Sequence, residues 1–179
     1  MDKDIEKKFI YVDEVDKSFG LAGMAISLTA WDKHDMISSI TLDAEGEDSS
    51  ITFSPEFFFS QNPRMSARIA WNELVKQYQM FVGMVIGNIM CRKTAGKNDR
   101  MGEELASDIY SLVEDEGLDL CSLEKDEIEI IFNKTYNFLS DFFSDSRMAA
   151  AADRFASDLR LRRSMSTYDI EDELRLLHF

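Results

Sequence analysis

The sequence predicts a mainly α-helical single domain over 1–179: five or six helices around a long central helix (about 63–93), with a short β-hairpin at 38–53. Three observations carry this. Apolar residues recur at helical spacing through most of the 179 residues. The two prolines, Pro55 and Pro63, stand where helices would open, and none follows. Hydrophobic residues make up 45% of the chain against 30% charged, enough to fill one core and far from a disordered composition. The polar, glycine-containing stretch 94–100 is a soft break within that domain.

Over 12–31, Val12, Val15, Phe19, Ala22 and Ile26 fall on one helical face, with Ala25 and Leu28 alongside. Gly20 and Gly23 each cost such a helix about 0.8–1 kcal/mol, a loss that close approach of a neighbouring helix offsets. The pattern then changes. Ser38-Ser39-Ile40-Thr41-Leu42 recurs as Ser49-Ser50-Ile51-Thr52-Phe53 across an acidic, Gly46-containing loop, the arrangement of a hairpin. A two-stranded ribbon is marginal alone, so it must lean on helices.

Ser54-Pro55-Glu56 reads as a cap, a first-position proline and an early acid, placing Phe57-Phe58-Phe59 on a short helical turn. Asn62-Pro63 opens the central helix by the same logic. One face of it runs Trp71, Leu74, Val75, Tyr78, Val82, Val85, Ile86, Ile89. Beyond Tyr78 the opposite face is apolar too, through Met80, Gly83, Met84, Gly87 and Cys91. A helix apolar all round belongs in the middle of a fold. Gln79 and Asn88 interrupt this run, which is too short and too polar to cross a bilayer.

Met101, Leu105, Ile109, Leu112 and Val113 give the next helix, which Gly117 should close. Ser122 should cap another, lined by Ile128, Ile131, Phe132, Tyr136, Leu139 and Phe142. Asp145 or Ser146 caps a third, with Met148, Ala151, Ala152, Phe155 and Leu159 inward. Ser166-x-x-Asp169 reads as a capping box before Ile170, Leu174 and Leu177.

Charge is unevenly spread around the net −14. Residues 103–129 hold eleven acids and one base, Lys125, for a net −10; 147–163 hold five arginines and two acids, for a net +3. The arginine helix is expected to neutralise part of the acidic stretch, leaving the rest solvated. Glu114, Asp115 and Glu116 sit at the C-terminal end of a helix, where the macrodipole makes acids unfavourable by a few tenths of a kcal/mol, roughly. Together with Asp119 they mark a candidate docking surface for a basic partner protein.

Chemistry-bearing patterns are few. His34 and His178 are the only histidines, so a His-rich zinc site is not expected, and no Glu lies three residues before either, as a di-iron bundle requires. The loop from Asp43 has its glycine and its twelfth residue wrong for an EF-hand. Glu124, Asp126 and Glu127 share a helical turn at which a carboxylate-bound divalent cation is conceivable, although helix N-termini attract acids anyway. No GxSxG, phosphate loop or GxGxxG occurs, and the strong negative charge opposes nucleic-acid binding. Cys91 on its apolar stripe reads as a packed thiol.

The GxxxG pair Gly83 and Gly87 admits three uses for the face Met80, Gly83, Met84, Gly87 and Cys91. It can seat the Gly20–Ala30 helix of the same chain, close a homodimer, or flank an apolar ligand pocket. The charged start, Met1 to Lys8, lacks a signal-peptide core, and two thiols beside ten methionines suit a reducing compartment, so a cytoplasmic protein is expected. The leading expectation is a non-enzymatic interaction or regulatory module that uses its acidic 103–129 surface, with no cofactor, nucleic acid or membrane involved. The alternative is a small-molecule binder or enzyme with its pocket beside the central helix.

Overall fold

Six α-helices and three short strands occupy residues 9–44, 50–57, 66–94, 104–119 and 121–175, the parts of the chain described by the computed structural model. Helix α1 is Glu14–Thr29, strands β1 and β2 are Ile37–Thr41 and Ile51–Phe53, and the long α2 is Ala67–Thr94. Then come α3 (Leu105–Asp119), α4 (Lys125–Ser144), α5 (Ser146–Arg162), strand β3 (Ser164–Ser166) and α6 (Thr167–Leu174). The fold is thus mainly helical, with a small antiparallel sheet that contains the predicted hairpin.

Side-chain caps mark the starts of four described helices, α1, α4, α5 and α6. Asp13 accepts from the amide of Asp16 to open α1, Asp145 accepts from that of Arg147 to open α5, and Ser166 and Asp169 form the expected reciprocal box on α6. The next case differs from expectation: Glu124, paired with Glu127, caps α4. Ser122 instead takes a left-handed conformation with φ 52°, which turns the chain so that Glu124 reaches the cap position. Gly117 does not close its helix either. It lies inside α3, where an added Cβ would stand 2.8 Å from both Tyr78 Oη and an Ile128 methyl.

Glycine contacts fix how α1 crosses α2. A Cβ on Gly87 would lie 2.5 Å from the Gly23 carbonyl oxygen and 2.7 Å from Ser27 Cβ; one on Gly83 would lie 2.5 Å from the Trp31 ring. The two helices therefore run antiparallel with their backbones in contact, and Ala22, Ala25, Ile26 and Leu28 are buried around the crossing. Helix α4 lies beside α2 in the same direction: residues 123–131 face residues 69–76, while Phe138 meets Trp31 at 6.4 Å between ring centroids. Helix α3 returns antiparallel to α4, with Tyr110 edge-on to Phe132 at 5.2 Å. Helix α5 closes on α1, where Arg160 donates to Ser18 Oγ at 2.6 Å.

The sheet order is β2-β1-β3, all antiparallel. Strand β3 has no counterpart in the sequence reading. It forms because Ser164–Ser166, leaving α5 through the left-handed Arg163 (φ 67°), covers the free edge of β1. Two further details of the helical pattern differ. Val12 and Val15 are about half exposed, at 51% and 47%, and Trp71, counted on the inward face of the central helix, is 41% exposed. The turns read at Phe58-Phe59 and Asn62-Pro63, the position Met101 and most of the 94–100 break lie outside the described residues.

Candidate protein-interaction surface

Leu105, Ile109, Val113 and Gly117 form the buried stripe of α3, and that spacing turns Asp115, Glu116 and Asp119 away from the core. The stripe is anchored by Tyr78, whose buried hydroxyl donates to the Val113 carbonyl at 2.9 Å. At the end of α3 the chain doubles back: the Leu123 amide donates to the Gly117 carbonyl at 3.0 Å, and the Cys121 amide to that of Glu116 at 3.4 Å. This brings the acidic end of α3 against the acidic start of α4, where Glu124 and Asp126 are exposed.

Of the four predicted acids, Glu114 makes two side-chain bonds. Its Oε1 accepts from Lys125 Nζ at 3.1 Å and from Tyr110 Oη at 3.3 Å. Lys125, the single base of the segment, is thereby turned toward α3. Asp119 is exposed, and Asp115 and Glu116 are half-buried. The surrounding groups register the negative field. Burial, the nearby Glu114 charge and the bond to it push the Tyr110 phenol up, and burial plus Glu116 push the Cys121 thiol up.

The arginine helix does not supply the neutralisation expected of it. Arg147 pairs with Asp145 at 2.6 Å, Arg154 with Glu173 at 2.7 Å, and Arg162 with Asp169 at 2.6 Å and Asp158 at 3.4 Å. Arg163 bridges Asp43 and Glu14, and Arg160 turns to Ser18. Arg147 thus stays at its own helix cap, and the other four knit α5 and its end to α1, α6 and the loop after β1, on contacts separate from the acidic end of α3.

Beside that acidic end runs an open groove of about 660 Å³ between α2 and α4. Its floor and walls are Ile69, Trp71, Val75, Leu123, Ile130 and Ile131; Glu73, Lys76 and Glu127 contribute at its edges. Ile69 is 49% and Ile130 67% exposed. Sequence reasoning missed this feature. Its one trace was Ile130, an apolar residue standing off the stripe that Ile128 and Phe132 define.

The second candidate face is inside the protein. Met80, Met84 and Cys91 are buried, Cys91 completely, and Gly83 and Gly87 lie under Trp31 and α1. Burial alone raises the Cys91 thiol pKa well beyond the ordinary thiol range, which keeps the sulfur protonated and unreactive. At the Met80 end, however, a cleft of about 410 Å³ opens between Trp31, Met36, Phe57 and Met80, with Lys33 and Lys76 on its lining. Glu124 and Glu127 direct their carboxylates to helix capping, and among the described residues no three His, Cys, Asp or Glu groups converge as metal ligands would. No described helix is long and apolar enough to cross a membrane.

Comparisons with protein-family models, with curated proteins and with solved structures returned no match.

Proposed function

We propose that this protein is a non-enzymatic interaction module that binds a basic partner protein through the acidic surface formed by the end of α3 and the start of α4. The observation that supports it is local. Eight acids and one lysine fall over 114–129, that lysine is turned to Glu114, and the arginines of α5 are bonded elsewhere. Maintaining so concentrated a field costs folding stability through self-repulsion, and such a field steers oppositely charged partners. A reducing cytoplasm suits its two free thiols.

The test is charge reversal that spares the fold. Glu116→Lys with Asp119→Lys changes the local charge by four units while leaving the Glu114–Lys125 pair in place. Immobilised wild-type chain should retain a basic protein from a native lysate at low salt and release it at high salt. The double variant should lose it with an unchanged far-ultraviolet spectrum. Equal retention by wild type and variant defeats the proposal.

A second reading has one observation in its favour, the 410 Å³ cleft at Met80, whose volume falls within the roughly 300–1,000 Å³ of small-molecule sites. A compound bound there raises the melting temperature by mass action, and Met80→Ala or Trp31→Ala should remove that increment. A compound whose stabilisation survives both changes is not bound in this cleft.

A further inference from the structure

We infer that the α2–α4 groove receives an amphipathic helix of the basic partner, its apolar side chains seated between Trp71 and Ile130 and its cations directed to the acidic ends of α3 and α4. This deepens the acidic-surface reading and rests on it for the sign of the partner's charge. Single exposed apolar residues are ordinary, but here Ile69, Trp71 and Ile130 surround one groove, with Val75, Leu123 and Ile131 beneath them. Tryptophan is also a side chain that anchors interfaces when a partner removes it from water.

The edges argue for charge complementarity. Lys76, on the lining, is tied to Glu73 at 2.9 Å, and Lys125, two residues from Glu127, is tied to Glu114. What the groove end offers a newcomer is therefore carboxylate, from the exposed Asp126 at the start of α4 and from the exposed Asp119, which the Leu123–Gly117 bond holds beside it. Two helices lying side by side in one direction leave a furrow that a third helix fills, with apolar anchors at i, i+3 or i+4, and i+7. A second copy of this chain is a poor occupant, because two chains of net −14 repel each other.

The two tryptophans make the site readable in solution. The probe is a synthetic peptide of about five helical turns, leucine at helical spacing and lysine elsewhere. It is compared with a leucine/glutamate peptide of the same pattern and with a lysine/serine peptide of the same charge. The indole N–H resonances of Trp31 and Trp71 are followed in ¹⁵N-labelled full-length protein and assigned through Trp71→Phe.

The expected result is a saturable shift of the Trp71 signal with the leucine/lysine peptide alone, weakened at least tenfold by Ile130→Ser. Ile130 is mostly exposed, so this change should leave the fold intact, and Ile69→Ser provides a second variant. Equal affinity of the lysine/serine peptide, unaffected by Ile130→Ser, overturns the groove while leaving the acidic surface standing. Equal affinity of the leucine/glutamate peptide overturns the basic partner and, with it, the acidic reading. A Trp71 shift that follows protein concentration without any peptide assigns the groove to a second copy and overturns the inference. So does the absence of any shift.

Discussion

Arg92 holds Asp16 with two prongs inside the protein: Nε donates to Oδ1 at 2.8 Å and Nη2 to Oδ2 at 2.6 Å, with the arginine only 1% exposed. The same guanidinium donates to the carbonyl oxygens of Phe9 and Ile10 and lies 4.8 Å from the centre of the Tyr11 ring. Asn88, one turn earlier on α2, donates to the Tyr11 hydroxyl at 2.6 Å. One buried cation thus fixes residues 9–11 and the start of α1 to the C-terminal end of α2.

Breaking that pair from one side leaves a nearly buried carboxylate without its cation, a loss of about 3–5 kcal/mol. Arg92→Met is expected to lower the urea midpoint accordingly. Arg92→Lys should recover only part of it, because an ammonium cannot serve both carboxylate oxygens and two carbonyls in one plane. Full stability of Arg92→Lys would show that charge, not fork geometry, is what the site needs.

The glycine crossing predicts an unequal response to one added methyl group. In both α1 and α3, Gly→Ala gains about 0.8–1 kcal/mol of helix propensity. At Gly23 the new carbon runs into the Gly87 carbonyl, which is backbone and cannot give way, and overpacking of that kind costs about 1–3 kcal/mol or more. At Gly117 it meets the ends of the Ile128 and Tyr78 side chains. Gly23→Ala should therefore be clearly destabilising in chemical unfolding, and Gly117→Ala near neutral. The reverse order would disprove the packing argument.

Alkali should unfold this protein ahead of what its surface charge alone produces. Burial raises the pKa of Cys91 and Tyr78, and less strongly that of Cys121, Tyr110 and Tyr136. A raised native pKa means that the unfolded chain releases its proton first, so the stability from these groups is complete below the unfolded values, 9.0 for a thiol and 10.0 for a phenol. It falls as pH rises above them. The fully buried Cys91 contributes up to about 1.4 kcal/mol per pH unit in that range. Urea midpoints from pH 7 to 11 should stay level to about pH 9 and then drop, and Cys91→Ala should flatten the first part of the drop. In native protein at pH 8, thiol reagents should leave Cys91 unmodified while slowly labelling the half-exposed Cys121.

Helices were legible in the sequence because they repeat their apolar spacing and some carry a recognisable cap. Asp145 and the Ser166–Asp169 box declare themselves locally, whereas the cap at Asp13 went unread. The orientation of Trp71 was not legible, since it depends on where α4 lies, and nothing near residue 71 encodes that. Ser122 and Glu124 can both cap, and only the left-handed turn at Ser122 decides between them. Serines flanking a single methionine give β3 no strand signal, and the open edge of β1 imposes its conformation. The acidic surface was readable as composition. The groove beside it joins residues from two helices far apart in the chain, so periodicity within either one could not reveal it.

The pairing of Ile40 with Met165 carries a consequence for biosynthesis. Strand β1 leaves the ribosome before its second neighbour, which is made about 125 residues later, a delay on the order of 6–25 s at common elongation rates. Through that interval one side of β1 has open backbone donors and acceptors, and its hairpin with β2 is too small to persist unaided. The nascent chain must therefore keep this ribbon shielded by α1 and α2, or by a chaperone, until the turn at Arg163 delivers the third strand.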